Sequence, residues 1–152
     1  MTLQNTITEV LHQRILLADE AAAVVLPNMM DTYSPKDRQV ILTPESTVRF
    51  PEHDCMGNPP ASGWEITYTI RVLVRQDENG PNESVDEDLN TLIAGVYNAI
   101  CGVADWWQMD GNALNAMWDT SERELDELQS AAYQMALKVY YRTDETNLLN
   151  RR

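Results

Sequence analysis

Trp64-Glu-Ile-Thr-Tyr-Thr-Ile-Arg-Val-Leu-Val-Arg-Gln76 decides how the rest of this chain can fold. Trp64, Ile66, Tyr68, Ile70, Val72 and Val74 take every second position, and Glu65, Thr67, Thr69, Arg71 and Arg75 fill the gaps. Successive side chains of a strand point to opposite faces, so the pattern predicts a long strand with one buried face and one wet face. Its β-branched and aromatic content fits the same state. Leu73 alone breaks the alternation. The stretch reads as the central strand of the fold, and it carries no chemistry of its own.

Downstream lies an acidic loop, Asp77 to Glu83, turning at Asn79-Gly80-Pro81. A helix is predicted from about Val85 to Ile100, with Val85, Leu89, Leu92, Ile93, Val96 and Ile100 on one face and Ser84 as N-cap. Asp86, Glu87 and Asp88 crowd its first turn, where carboxylates favour the positive end of the helix dipole. That gives these acids a structural reason to be there, so they are not read as a metal cluster. Gly102 suits the helix end.

Upstream, Leu3 to about Ala23 reads as a helix, with Leu3, Ile7, Val10, Leu11, Arg14, Leu17, Ala18 and Ala21 near one stripe. Thr6 and Glu9 have the form of a capping box, and Pro27 stops any continuation. From Pro27 to Gly63 the chain holds six of its seven prolines, which predicts an extended arm or a long surface loop. Within it, Arg38–Thr43 and Thr47–Phe50 read as two short strands, with Pro44 at an edge or a bulge.

Three of the four tryptophans, Trp106, Trp107 and Trp118, follow the second helix. Aromatic residues mark core packing when buried and an interface when exposed, and at least one of these is expected to face a partner. Glu122–Val139 keeps helical spacing at Leu125, Leu128, Ala132, Met135 and Val139. Ser130–Thr143 instead alternates as a strand, with Ala131, Tyr133, Met135, Leu137, Val139 and Tyr141 on one side. The strand-like composition of Lys138–Thr143 favours a turn or strand before Asp126 and a strand after it. The polar tail, Asp144–Arg152, is expected to fray.

At 152 residues the chain is expected to form a single domain, 1–152, with an ordinary soluble composition of 43% hydrophobic and 23% charged residues. No apolar run approaches the ~20 residues that span a bilayer, and no basic region precedes an apolar one at the N-terminus. No membrane partner is expected. Cys55 and Cys101 lack the close pairing of a zinc site, and His53-Asp54-Cys55 supplies one cluster without a second. Neither a metal nor a cofactor is expected, and reduced intracellular thiols fit best. The sequence holds no phosphate-binding loop and no nucleophile elbow. His12 reads as a helix-surface residue and His53 as a loop residue, so no enzyme is expected.

The net charge is −13, and it is unevenly spread. Asp77–Asp88 holds six acids without a Lys or Arg, and Asp105–Glu127 holds seven against Arg123. Gripping nucleic acid needs cations to displace phosphate counterions, so a DNA-binding surface is not expected. Solvation explains the acids most simply. A surface that nucleic acid passes without sticking explains them too.

The order of elements resembles the tail terminators of long-tailed phages and related tail-completion and neck proteins. It runs from a helix and irregular strands to the Trp64–Gln76 strand, an acidic loop, the Val85–Ile100 helix, an aromatic connection and a closing Ala132–Arg142 strand. The proline-bearing segment Pro27–Gly63 departs from a compact member. The reading is an α+β fold: a mixed, mainly antiparallel sheet of about four strands with helices on one face. The resemblance implies a hexameric ring that caps the tail tube, stops its polymerisation and meets the neck. DNA would cross its lumen, and the protein would reside in the virion after assembly in the host cytoplasm. Asp77, Glu78 and Glu83 become the candidate lumen loop. Trp106, Trp107 and Trp118 become the candidate contact between subunits. A head-to-tail adaptor of similar fold is the nearest alternative, and a small ligand-binding or catalytic domain built on the acids and His53 is a more distant one.

Overall fold

In chain order, the computed structural model builds helix α1 (Leu3–Leu16) and strands β1 (Ala23–Val25), β2 (Arg38–Arg49) and β3 (Ala61–Arg75). Helix α2 (Asn82–Cys101) follows, then strands β4 (Asn115–Glu127), β5 (Ser130–Asp144) and β6 (Asn147–Arg151). The structure describes residues 2–18, 23–25, 38–57, 60–75, 82–127, 130–144 and 147–151. The sheet order is β1-β2-β3-β5-β4, with β6 added at the end of β5. Strand β3 pairs antiparallel with both β2 and β5, so the alternating stretch is the middle of the sheet. Among the described residues only β1 and β2 pair in parallel. The α+β class and the mixed, mainly antiparallel sheet hold, with four long strands and two short ones among the described residues.

One face of β3 makes the core. Ile66, Tyr68, Ile70, Val72 and Val74 are buried against Leu3, Ile7, Leu11 and Ile15 of α1 and Leu89, Leu92, Val96 and Ile100 of α2. Both helical sets recur at three- and four-residue steps, which places each on one stripe. Each fully buried Ile or Leu contributes about 1.5–3 kcal/mol, so this shared face dominates the stability. Tyr68 brings a hydroxyl into that core and must find it a partner. Thr8 gives its one hydroxyl proton to the Gln4 carbonyl at 2.9 Å, so Tyr68 donates to Thr8 Oγ1 at 2.7 Å.

Leu73, the break in the alternation, points to the opposite face. There it lies in a row with Gln39 and Ala132, and all three are buried. The other β3 residues of that face, Glu65, Thr67, Thr69 and Arg71, are polar and half-buried, and Lys138 on β5 reaches Glu65 at 3.8 Å and Asp119 at 3.7 Å.

Several boundaries depart from the sequence reading. Helix α1 is capped one turn earlier than the Thr6–Glu9 box suggests, by Thr2, whose Oγ1 accepts from Asn5 N–H at 3.2 Å. It also stops at Leu16 and does not reach Ala23, because Ala23–Val25 pairs with Gln39–Ile41 as a strand. Two β-branched valines favour that state. Helix α2 begins at Asn82, so Ser84 lies inside its first turn and does not cap it.

The proline-bearing segment 27–63 is not simply an arm or a loop. Arg38–Arg49 forms one continuous strand, with its register shifted between Pro44 and Ser46. Pro44 therefore sits at a bulge, where its missing N–H breaks no ladder. Helical spacing over Glu122–Val139 loses to pairing: β4 and β5 are both strands, and Ala131, Met135, Leu137, Val139 and Tyr141 are buried on the helix side. The tail is not left to fray, since Asn147–Arg151 folds back onto Thr143 and Asp144. Among the described residues no helix is long and apolar enough to cross a membrane.

Candidate assembly surface

Two connections frame the sheet, and each is locked by a different means. The first, between β2 and β3, turns through a 3₁₀ turn at Pro51–His53 and returns through a Cys55–Ala61 bridge. Gly63 allows it to close. A Cβ there would lie 2.4 Å from the Phe50 carbonyl oxygen and 2.7 Å from His53 Cβ. Asp54 accepts from Gly63 N–H at 2.6 Å and from Arg49 at 2.9 Å. Arg142 donates its Nε–H to the His53 carbonyl at 2.5 Å. The His53 ring packs 4.9 Å from Phe50 and 5.3 Å from Tyr140. Burial first, then the Glu65 carboxylate beside it, push the Tyr140 phenol up to about 12.

The second connection, between α2 and β4, is the tryptophan wing. Asp105, Met109 and Asp110 all have left-handed backbone, with φ of 54°, 47° and 58°, and Gly111 follows at 82°. Asp tolerates that region; Met does not readily, and such residues persist only where their surroundings fix them. The surroundings are Arg14 and the core. Met109 is fully buried. Arg14, itself buried, donates to the Ile100 carbonyl at 3.2 Å, the Trp106 carbonyl at 3.0 Å and Asp110 Oδ1 at 3.0 Å. The Ile100 carbonyl is one of the four that a helix end leaves without an internal partner, and a cation suits that end of the dipole. The arginine on the apolar stripe of α1 therefore fastens a loop more than eighty residues away in sequence.

On this wing the rings form a ladder. Tyr97 of α2 packs 4.7 Å from Trp118, Trp118 stacks on Trp106 at 6.3 Å, and Trp106 meets Trp107 edge-on at 6.4 Å. Trp106 and Trp118 are half-buried against the core, so their rings serve internal packing. Trp107 is the member that reaches the surface, 37% exposed. Cys101 lies beneath this ladder, and burial pushes its thiol up, which disfavours the reactive thiolate.

The acids of the candidate loop are placed unequally. Asp77 and Glu78 lie outside the described residues, and Glu83 lies in the first turn of α2, its side chain outside what the structure describes. Asp88 pairs with Arg38 at 3.2 Å, tying α2 to β2. His12 sits on α1, 3.9 Å from Glu9, far in sequence from His53. Among the described residues, the His53 ring joins Phe50 and Tyr140, while the neighbouring Asp54 serves Arg49 and Gly63. Both cysteines are free, and among the described residues no group of three metal-binding side chains forms.

Some surface features left no mark in the sequence. Leu17 is 82% exposed at the end of α1, Val48 is 48% exposed on β2, and Met117 is 47% exposed on β4. Only the pairing register tells which face each of the last two occupies. Arg14 did leave a signal, as the one charged residue on an otherwise apolar stripe.

No protein-family profile and no curated protein matches the sequence. Among solved structures, the chain is similar to a protein from the virion of a native gene transfer agent particle. The TM-score is 0.56 at 10% identity, over 93% of this chain and 98% of that one. A weaker likeness is to a chain of the sheath/tube terminator of an extracellular contractile injection system in the extended state. It has a TM-score of 0.40 and 12% identity, and spans 99% of this chain but 60% of that one, too low a score to carry an argument. The shared feature is the fold.

Proposed function

We propose that this chain is a non-enzymatic structural component of a phage-type tail. In this reading it is a single domain that forms a ring, a hexamer, which caps the tail tube, stops tube polymerisation and joins tail to neck. Its partners are then copies of itself, the tail tube protein and a neck or head-completion protein, and its place is the virion, after assembly in the host cytoplasm. The observation that supports the reading is the fold shared end to end with a protein of a gene transfer agent virion. The net charge of −13 agrees with it, because a lumen of like sign keeps phosphate from adhering as DNA passes. Asp77, Glu78 and Glu83 are the proposed lumen loop, and Trp107 leads the proposed subunit contact, with Trp106 and Trp118 holding it in place.

Electron microscopy of the protein mixed with tail tubes tests this reading: rings should sit at tube ends, and bare tube ends beside free protein would overturn it. Replacing Asp77, Glu78 and Glu83 with Lys should leave rings intact and slow DNA passage. Normal ejection from such particles would remove the lumen assignment alone. The same shared fold supports a head-to-tail adaptor as a second reading, since a likeness to a virion protein agrees with either position in the particle. Rings that bind the portal-side neck and ignore tubes would favour it.

A further inference from the structure

The two lateral edges of the sheet are not equally protected. Strand β4 carries two irregularities, at Trp118/Ser121 and Glu124/Glu127, and five acids. Bulges and charges of that kind keep an edge from accepting another strand. Strand β2 shifts register at Pro44/Ser46, but beyond that point 46–49 runs in unbroken register against 64–67 and holds no acid. Strand β1 covers only Gln39, Val40 and Ile41, so among the described residues no strand pairs with the outer side of 42–49. One bond fixes which backbone groups are open there. Phe50 N–H donates to the Gly63 carbonyl at 2.9 Å, one step beyond the Arg49–Trp64 pair. Hydrogen-bonded pairs of an antiparallel ladder alternate with pairs whose backbone groups point apart. The groups of Val48 therefore turn inward to β3, and the N–H and C=O of Thr47 and Arg49 turn outward to the free side.

The Thr47 side chain lies on the helix face, opposite the buried Ile66, and borders a half-open, mainly apolar pocket of about 130 Å³. Among the described residues Thr2, Gln4, Thr47, Trp64, Tyr141 and Thr143 line it. Its walls are already fixed. Trp64 donates its indole N–H to Thr143 Oγ1 at 2.9 Å, and the Arg49 guanidinium lies 5.3 Å from the Trp64 ring. Thr47 donates to Gln4 Oε1 at 3.1 Å. Walls held in this way lose little freedom when something enters. An apolar cavity of ~150 Å³ holds one benzene, so this pocket has room for one aliphatic side chain. It is well below the roughly 300–1,000 Å³ of a small-molecule site.

We infer that the outer side of β2 takes an extended segment of a partner protein as an added antiparallel strand, with one aliphatic side chain (Leu, Ile or Met) seated in this pocket. Main-chain bonds at Thr47 and Arg49 give such a contact its affinity, and the pocket gives it selectivity. Residues directly opposite in a ladder share a face, so the partner residue facing Thr47 turns its side chain to the pocket side. The residue before it falls beside Val48, which is 48% exposed on the other face and suits a β-branched neighbour. A second copy of this chain is the wrong occupant, because through the same edge it offers Thr47 or Arg49 to the pocket and no aliphatic side chain. The site stands on the edge and the pocket and does not rest on the ring reading.

A capped peptide, acetyl-Lys-Thr-Val-Leu-Thr-Lys-amide, tests it when titrated into the full chain and followed by amide NMR. The Thr47 and Arg49 amides should shift and exchange their hydrogens more slowly. N-methylation of the peptide's Leu nitrogen removes the N–H given to the Thr47 carbonyl, and Asp in place of that Leu puts a charge at the pocket. Each change should weaken binding about tenfold or more. Gln4→Phe, which fills the pocket from the first turn of α1, should weaken the Leu peptide to a similar degree, with an unchanged melting temperature to show that the variant is folded. No shift at about 1 mM peptide, or equal binding of the three peptides, overturns the proposal without any substitution in the protein. Undiminished binding by folded Gln4→Phe overturns the pocket, and shifts confined to β4 overturn the choice of edge. Protection of Thr47 and Arg49 that grows with protein concentration and excludes the peptide would make a second copy the occupant and overturn it as well.

Discussion

Strand β3 and the tryptophan wing are held by opposite means. Strand β3 is fixed by area: Ile66, Ile70, Val72 and Val74 share their burial with two helices and two flanking strands. The wing between Cys101 and Asn115 is fixed by direction: one buried guanidinium reaches two carbonyls and a carboxylate, and left-handed residues shape the turn around it. Damage to the first should lower the stability of the whole molecule. Damage to the second should free one loop while the sheet stays folded. A region held by a few directed bonds is therefore the more suitable place for a surface that must adapt to a partner.

The largest effect separates the two modes. Ile70→Ala should cost about 3–4 kcal/mol in urea unfolding, the range for a buried branched residue cut to a methyl, with all probes moving together. Arg14→Leu should cost about 2–3 kcal/mol, since it strands two carbonyls that received charged hydrogen bonds. Amide exchange in residues 102–114 should quicken more than in β3, and tryptophan emission should shift as the ladder loosens. Equal protection loss across sheet and wing would mean that the two regions are held alike.

Tyr68→Phe probes a directed bond inside the area-held region and should cost about 1 kcal/mol, because Thr8 keeps its bond to Gln4. Thr8→Val should cost more, about 1–3 kcal/mol, because it leaves the buried Tyr68 hydroxyl without an acceptor.

The smallest effect appears at high pH. The unfolded chain ionises Tyr140 near 10, while the folded chain holds the proton to about 12. Stability from this group is then complete below pH 10 and lost as pH rises from 10 to about 12. Burial raises Tyr68, Tyr97 and Tyr141 as well, so they act in the same direction. A urea midpoint that held constant through this window would contradict the burial of these phenols, and Tyr140→Phe should make the fall shallower.

How much could be read without coordinates follows the same division. Periodicity is a local property, so the alternation of β3, the stripe of α2 and the choice of strand for Ala131–Tyr141 are written in neighbouring residues. Helix ends were less legible: the first helix, expected to reach about Ala23, stops at Leu16, and Ala23–Val25 joins a strand partner supplied by Gln39–Ile41. The candidate surface was partly legible. Tryptophan clustering marked the wing, but burial distinguishes Trp107 from Trp106 and Trp118, and burial depends on Tyr97 and the core beneath.

The sequence alone determined the central strand, its buried face, the second helix and an acidic chain with little means to grip nucleic acid. These depend on side-chain period and charge, which no fold can alter. Tertiary structure alone decided that Arg14 would fasten a loop far along the chain, that Gly63 would let a corner close, and that Leu73 would be buried on the second face. It also set Val48 and Met117 at opposite ends of the sheet. Each of these needs two segments brought together from distant positions, and the energy that joins them is spread over a core no short stretch contains.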